Sequence, residues 1–164
     1  MTIVLLKKIV MLFKSLFIAL PCLFASICCI AQDKGDKLFD PNVLHELKIY
    51  TSETDIYDNL LFEAQGVTRP YHMVQMVFDG QTVDSVGIRA KGGSSAWDPA
   101  QVPIKVDLNE FSPNQSFDGI KKFNLTNSLF DQYRQRDRVA YELFNRAGVA
   151  APKTAYTEVY VNDQ

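Results

Sequence analysis

Apolar residues along this chain recur in two rhythms, and the switches between them mark the elements. "HELKIYTS" (residues 45–52) alternates Leu47 and Ile49 with Lys48 and Tyr50, the period-two pattern of a half-buried strand. "TSETDIYDNLLFEAQG" then offers Thr51, Ser52 and Thr54 as caps, acidic residues in its first turn, apolar Ile56, Leu60 and Leu61, and a closing Gly66, which predicts a short helix. In "HMVQMVFDGQTVDSVGIRAKG" two strand-like runs flank Asp79-Gly80, a pair suited to the positive backbone angles of a tight hairpin. Along the second run Val86, Ile88 and Ala90 take one face while Gly87, Arg89 and Lys91 take the other. "VPIKVDLNEF" repeats the arrangement, with Val102, Ile104, Val106 and Leu108 opposed to Lys105 and Asp107, and "IKKFNLTN" adds a short strand with Phe123 and Leu125 inward. If these runs pair in one sheet, Lys105 approaches Arg89 and Lys91 on a face that is not the core.

The longest helical pattern is "DQYRQRDRVAYELFNRAG", with Asp131 as a cap, Gly148 as the stop and Pro152 blocking continuation. Val139, Ala140, Leu143, Phe144 and Ala147 share a face. On a wheel of about 100° per residue Arg136 and Tyr133 fall near the centre of that face and Glu142 falls off it. A buried arginine needs an anionic partner, so Arg136 is either a site residue or a structural ion-pair member. Residues Thr154 to Val161 alternate like a strand, and Asn162-Asp163 reads as a turn with no strand after it. The expected fold class is therefore α+β: an antiparallel sheet with one short helix and one long packed helix, truncated inside its domain.

The first residues follow neither rhythm. Lys7, Lys8 and Lys14 precede an apolar run from Leu16 to Ile30 and small residues ending at Ala31, the layout of a secretory leader cleaved after residue 31. A lipid anchor at a cysteine is a minor alternative, and the run is slightly short of the roughly 20 residues of an uncleaved span. The expected organisation is a signal peptide over 1–31, a flexible tail over 32–37 and one domain over 38–164, secreted or held at the cell surface or in the periplasm, with a membrane met only through the leader. All three cysteines, Cys22, Cys28 and Cys29, lie in the leader, so the mature chain has no disulfide, thiolate metal site or cysteine nucleophile. Without the leader 14 basic residues face 19 acidic ones, a net charge of −5, which argues against nonspecific nucleic-acid binding.

The candidate chemistry centres on "GIRAKGGSSAWDP", residues 87–99. Glycines at 92 and 93 let the backbone approach an anion, Ser94 and Ser95 add donors, and Arg89, Lys91 and Lys105 supply charge. The loop matches neither the P-loop nor the Gly-x-Gly-x-x-Gly pattern. By spacing alone it reads first as a solvated connection, Lys105 as a solvated lysine and Trp97 as packing. His45 and His72 stand in separate segments without metal-ligand spacing, and Glu53, Asp55 and Asp58 read as the charged start of a helix.

"VGIRAKGGSS", "VPIKVDLNEF", "FDGIKKFNLTN" and "RDRVAYELFNRAGVAAPKTAYTEVYVND" follow one another in the order and spacing of the CotH family, the spore-coat protein H type of atypical protein kinase, and the chain resembles it from about Leu38 to Gln164. The resemblance implies the N-lobe part of a divergent kinase-like fold, and a secreted kinase that uses ATP and a divalent metal such as Mg²⁺ to phosphorylate protein Ser/Thr hydroxyls. It gives Gly92 to Ser95 as the phosphate loop, with Gly93 where the family more often has asparagine. Lys105, with Arg89 and Lys91, becomes the phosphate-facing cation, and Glu142 on the long helix its acidic partner by analogy, against the wheel's preference for Arg136. The catalytic and metal-binding carboxylates of the family would lie further along, so no catalytic residue is expected within this sequence. The rival expectation is a noncatalytic surface, adhesion or coat-assembly protein on the same scaffold.

Overall fold

The computed structural model describes residues 34–93 and 101–164. The expected leader, the start of the tail, Ser94, Ser95 and Trp97 lie outside the described residues.

Six strands and two helices follow in the order β1 (Leu44–Tyr50), α1 (Ile56–Gln65), β2 (His72–Phe78), β3 (Gln81–Ala90), β4 (Ile104–Asp107), β5 (Lys122–Leu125), α2 (Arg136–Arg146) and β6 (Tyr156–Val161). They form one curled sheet in the order β5-β4-β3-β2-β1-β6. The four pairs from β5 to β1 are antiparallel, as the alternation predicts. The wholly antiparallel expectation fails at β6, which runs parallel to β1 with Leu44 opposite Tyr156 and Ile49 opposite Val161. The final strand thus finds its partner at the start of the domain. The long connection through α2 makes a parallel return possible.

The hairpin turn is where the sequence puts it, with Asp79 at φ 46° and Gly80 at φ 78°. Beyond it β3 carries an irregularity: Val74 opposes Val86 but Met76 opposes Val83, and Ser85 takes φ 57°. This bulge switches the parity of β3, so that Val83 and Val86 face the same side although three residues apart.

One face of the sheet carries the core. Leu47 and Ile49 of β1, Val74, Met76 and Phe78 of β2, Val86, Ile88 and Ala90 of β3, and Ile104 and Val106 of β4 are buried beneath Ile56, Leu60 and Ala64 of α1. Burying each large aliphatic side chain contributes about 1.5–3 kcal/mol. Lys34 to Lys37, expected as a tail, are held instead: the Gly35 amide donates to the Asp118 carbonyl, the Lys37 and Leu38 amides donate to Asp118 Oδ2, and Lys153 Nζ lies 2.8 Å from Asp36.

α2 corrects a second expectation. The N-cap position is Gln135, without a side-chain cap, and not Asp131; Asp131, four residues earlier, accepts from the Arg136 amide at 2.6 Å, which holds its carboxyl below its ordinary range. Gly148 at φ 76° ends it. Yet none of its 11 residues is buried, and Val139, Leu143 and Phe144 are exposed. The helix is attached by its polar edge: Arg138 donates to the Pro41 carbonyl and lies over the Tyr156 ring, while the Tyr156 hydroxyl donates to the Arg134 carbonyl. The apolar arc, on the far side of the wheel from Arg138, is therefore uncovered by any described residue. The "one long packed helix" is amphipathic as expected, but it is not packed through its apolar face.

Candidate functional site

Antiparallel pairing of β3 with β4 sets Gly87 opposite Asp107, Ile88 opposite Val106, Arg89 opposite Lys105 and Ala90 opposite Ile104. Even-numbered positions feed the core, so Gly87, Arg89, Lys105 and Asp107 share the other face. Lys105 and Arg89 are each half-buried, and among the described residues neither they nor Lys91 forms an ion pair. The guanidinium of Arg89 sits 4.9 Å from the centre of the Tyr71 ring, and its Nε is buried with no hydrogen-bond partner. Buried donors are almost always satisfied, so this Nε is an unmet donor of the face.

The nearest carboxylate of the face is already engaged. Asp107 has no exposure, and its Oδ2 lies 2.6 Å from Lys122 Nζ and accepts from the Tyr71 hydroxyl at 3.4 Å. The Asp107 hydrogen bond holds the Lys122 ammonium above its ordinary pKa despite partial desolvation. Gly87 makes the covering of this face possible: a Cβ there would meet Glu110 Cβ at 2.8 Å and Tyr71 Cδ1 at 3.1 Å. Asp107 thus neutralises Lys122 rather than Lys105 or Arg89.

Where β3 ends, the Lys91 amide donates to the Pro103 carbonyl at 2.8 Å and Gly92 turns the chain at φ 99°. The Gly92 carbonyl accepts from Arg69 Nη1. Gly93 is exposed, nothing lies within 4 Å of where its Cβ would be, and its amide has no acceptor among the described residues. A separate cleft of about 470 Å³ opens between the two edge strands and α2, lined by Lys91, Asn124, Asp137, Arg138, Tyr141 and Tyr156 among others. Lys91 lines it; Arg89 and Lys105 do not.

The two helical candidates are not brought to this face by any contact. Arg136 is exposed, its amide held by Asp131, and Glu142 pairs with Arg146 one turn on. Arg136 does sit near the middle of the apolar arc, but that arc points away from the sheet. Sequence reading missed Arg69 and Tyr71, which flank Pro70 in "TRPYH"; a cation and an aromatic beside a strand start carry no spacing signal. His72, without metal-ligand spacing in the sequence, is instead bracketed by two carboxylates, its Nδ1 3.0 Å from Glu53 Oε2 and its Nε2 3.0 Å from Glu63 Oε2.

The face suits an anion with several acceptor oxygens: two opposed cations, an unengaged glycine amide and open space. It suits a metal less well, since among the described residues no group of three or more His, Cys, Asp or Glu side chains could hold a metal ion. No curated protein matches this chain. The family model described as CotH kinase protein matches residues 88–164, a stretch that opens one residue before Arg89 and contains Lys105, α2 and β6. Over residues 88–164, just under half of its length, this chain is similar to the CotH kinase family.

Proposed function

We propose that this chain provides the phosphate-binding part of a secreted CotH-like protein kinase that transfers a phosphoryl group from ATP, with a divalent metal, to protein Ser/Thr hydroxyls. The observation that carries the reading is the register pair Arg89–Lys105, two cations opposed across β3 and β4 without a neutralising carboxylate among the described residues. Similarity to the CotH kinase family over residues 88–164 favours ATP as the source of the anion. Arg89 offers its guanidinium and Lys105 its ammonium to phosphate oxygens, as charge-assisted donors. Tyr71 holds the guanidinium plane, and the Gly93 amide adds a neutral donor at the turn. ATP when bound supplies the transferable phosphoryl group. No residue of this chain is assigned a catalytic or metal-holding role.

The test is calorimetric titration of the chain with ATP and Mg²⁺, alongside Lys105→Ala and Arg89→Gln. A charged hydrogen bond lost from a phosphate weakens binding by about 1.5–3 kcal/mol, or roughly tenfold or more. A folded wild-type chain that takes no ATP overturns the reading in favour of a noncatalytic surface or coat-assembly role. Variants that bind as tightly as wild type remove these two residues from the site.

A further inference from the structure

Arg69 lies outside the family match, in the link between α1 and β2, and is half-buried. Its guanidinium makes two bonds to backbone: Nη1 donates to the Gly92 carbonyl, and Nη2 donates at 2.8 Å to the carbonyl of Ala64, a buried residue in the last turn of α1. The second bond completes a helix C-terminus, where carbonyls lack partners and a cation is favoured. The first reaches across to the glycine turn.

That contact sets more than one atom. A peptide unit is planar and trans, with C=O and N–H pointing in opposite directions. Gly92 O and Gly93 N–H belong to the same unit, so pinning the oxygen toward Arg69 directs the Gly93 amide away from Arg69. Glycine has little torsional preference of its own, and without the pin this unit is free to rotate.

We infer that Arg69 is a positioning residue of the phosphate site, bridging α1 to the Gly92 turn so that the Gly93 amide is presented to a bound phosphate. The inference rests on the phosphate-binding reading above. α1 in turn is fastened to the sheet near the same end by Glu63, whose carboxylate meets His72 at the start of β2. His72 stands opposite Ile88, the residue before Arg89. The docking of α1 and the orientation of the turn are therefore one mechanical unit, and Arg69 is the link between them. Two bonds in a fixed fork are the property of a guanidinium that an ammonium does not reproduce.

The test compares Arg69→Lys and Arg69→Ala with wild type by two readouts, after thermal unfolding shows each folded at the working temperature. The first is the NMR order parameter of the Gly93 amide without ligand, expected to drop from about 0.85 to below about 0.6 in both variants. The second is ATP affinity, expected to weaken about tenfold in both, with lysine giving no rescue. An unchanged Gly93 order parameter overturns the inference, and so does full rescue of affinity by lysine, which would make Arg69 a charge rather than a link. A loosened turn with wild-type ATP affinity overturns its role at the site. If wild type binds no ATP, the phosphate reading falls, and the order parameter still reports separately on the link; should Arg69→Ala fail to fold, Arg69→Lys alone decides.

Discussion

Arg89 and Lys105 face each other in register across β3 and β4, half-buried, with no carboxylate between them among the described residues. Like charges directly opposed on a sheet are destabilising. The only fully buried carboxylate on that face among the described residues, Asp107, is taken by Lys122. The pair is therefore a site of like-charge repulsion that an anion would relieve. Removing one charge without losing the strand should separate stability from binding: Lys105→Gln is expected to stabilise the ligand-free chain in urea unfolding while weakening ATP binding. A clear loss of stability would show that Lys105 supports the fold and would remove the repulsion argument.

The His72 cluster gives the molecule a pH dependence of definite sign. Burial pulls the His72 pKa down, but the hydrogen bonds and charges of Glu63 and Glu53 outweigh it, so it stands above its ordinary 6.5. A histidine raised on folding contributes stability that is complete below the unfolded-state pKa and disappears as pH rises through the folded-state pKa. The window therefore lies above about pH 6.5. Urea midpoints of wild type and His72→Gln, taken from about pH 6 to about pH 9, should converge as the pH rises. A difference that stays constant over that range would mean that the two glutamates do not hold a charged imidazole.

What the sequence made legible were features set by neighbours along the chain. Asp79-Gly80 demanded a turn whatever lay around it, and the parity of Ile88, Ala90, Ile104 and Val106 fixed which face of β3 and β4 was core, hence the meeting of Arg89 with Lys105. The rest depended on partners distant in sequence. β6 alternates like any strand, and nothing in "TEVYV" says that its partner is β1, more than a hundred residues earlier, or that it runs parallel. The wheel placed Arg136 correctly in the apolar arc of α2, but a wheel carries no direction, and the helix meets β6 and Pro41 through Arg138 and Arg134 instead. Arg69 was illegible because its function lies in two backbone carbonyls, at Ala64 and Gly92, and carbonyls leave no mark in a sequence.

Gly87 illustrates a constraint of close approach rather than backbone strain. Tyr71 and Glu110 lie over it where a side chain would stand, and Tyr71 also bonds Asp107 and stacks with Arg89. Gly87→Ala should cost about 1–3 kcal/mol, the range for forcing atoms into a filled space, and should weaken ATP binding as Tyr71 is displaced from the guanidinium. A variant of wild-type stability would show that Glu110 swings aside freely and that the face is not tightly built.

The two helices make opposite predictions for the same substitution. Leu60 of α1 is 1% exposed within the core, whereas Leu143 of α2 is 61% exposed on an arc that no described residue covers. Leu60→Ala should cost about 2–5 kcal/mol, the transfer of the lost methyl groups plus the cavity left behind. Leu143→Ala creates no cavity and gains slightly in helix propensity, so its effect should stay within about 0.5 kcal/mol. Chemical unfolding of both variants beside wild type checks the pair. Near-neutrality at Leu143 together with a large loss at Leu60 would establish that α2 is held by Arg138, Tyr156 and Asp131 rather than by apolar burial. A loss above about 2 kcal/mol at Leu143 would instead place a covering surface over α2 in solution.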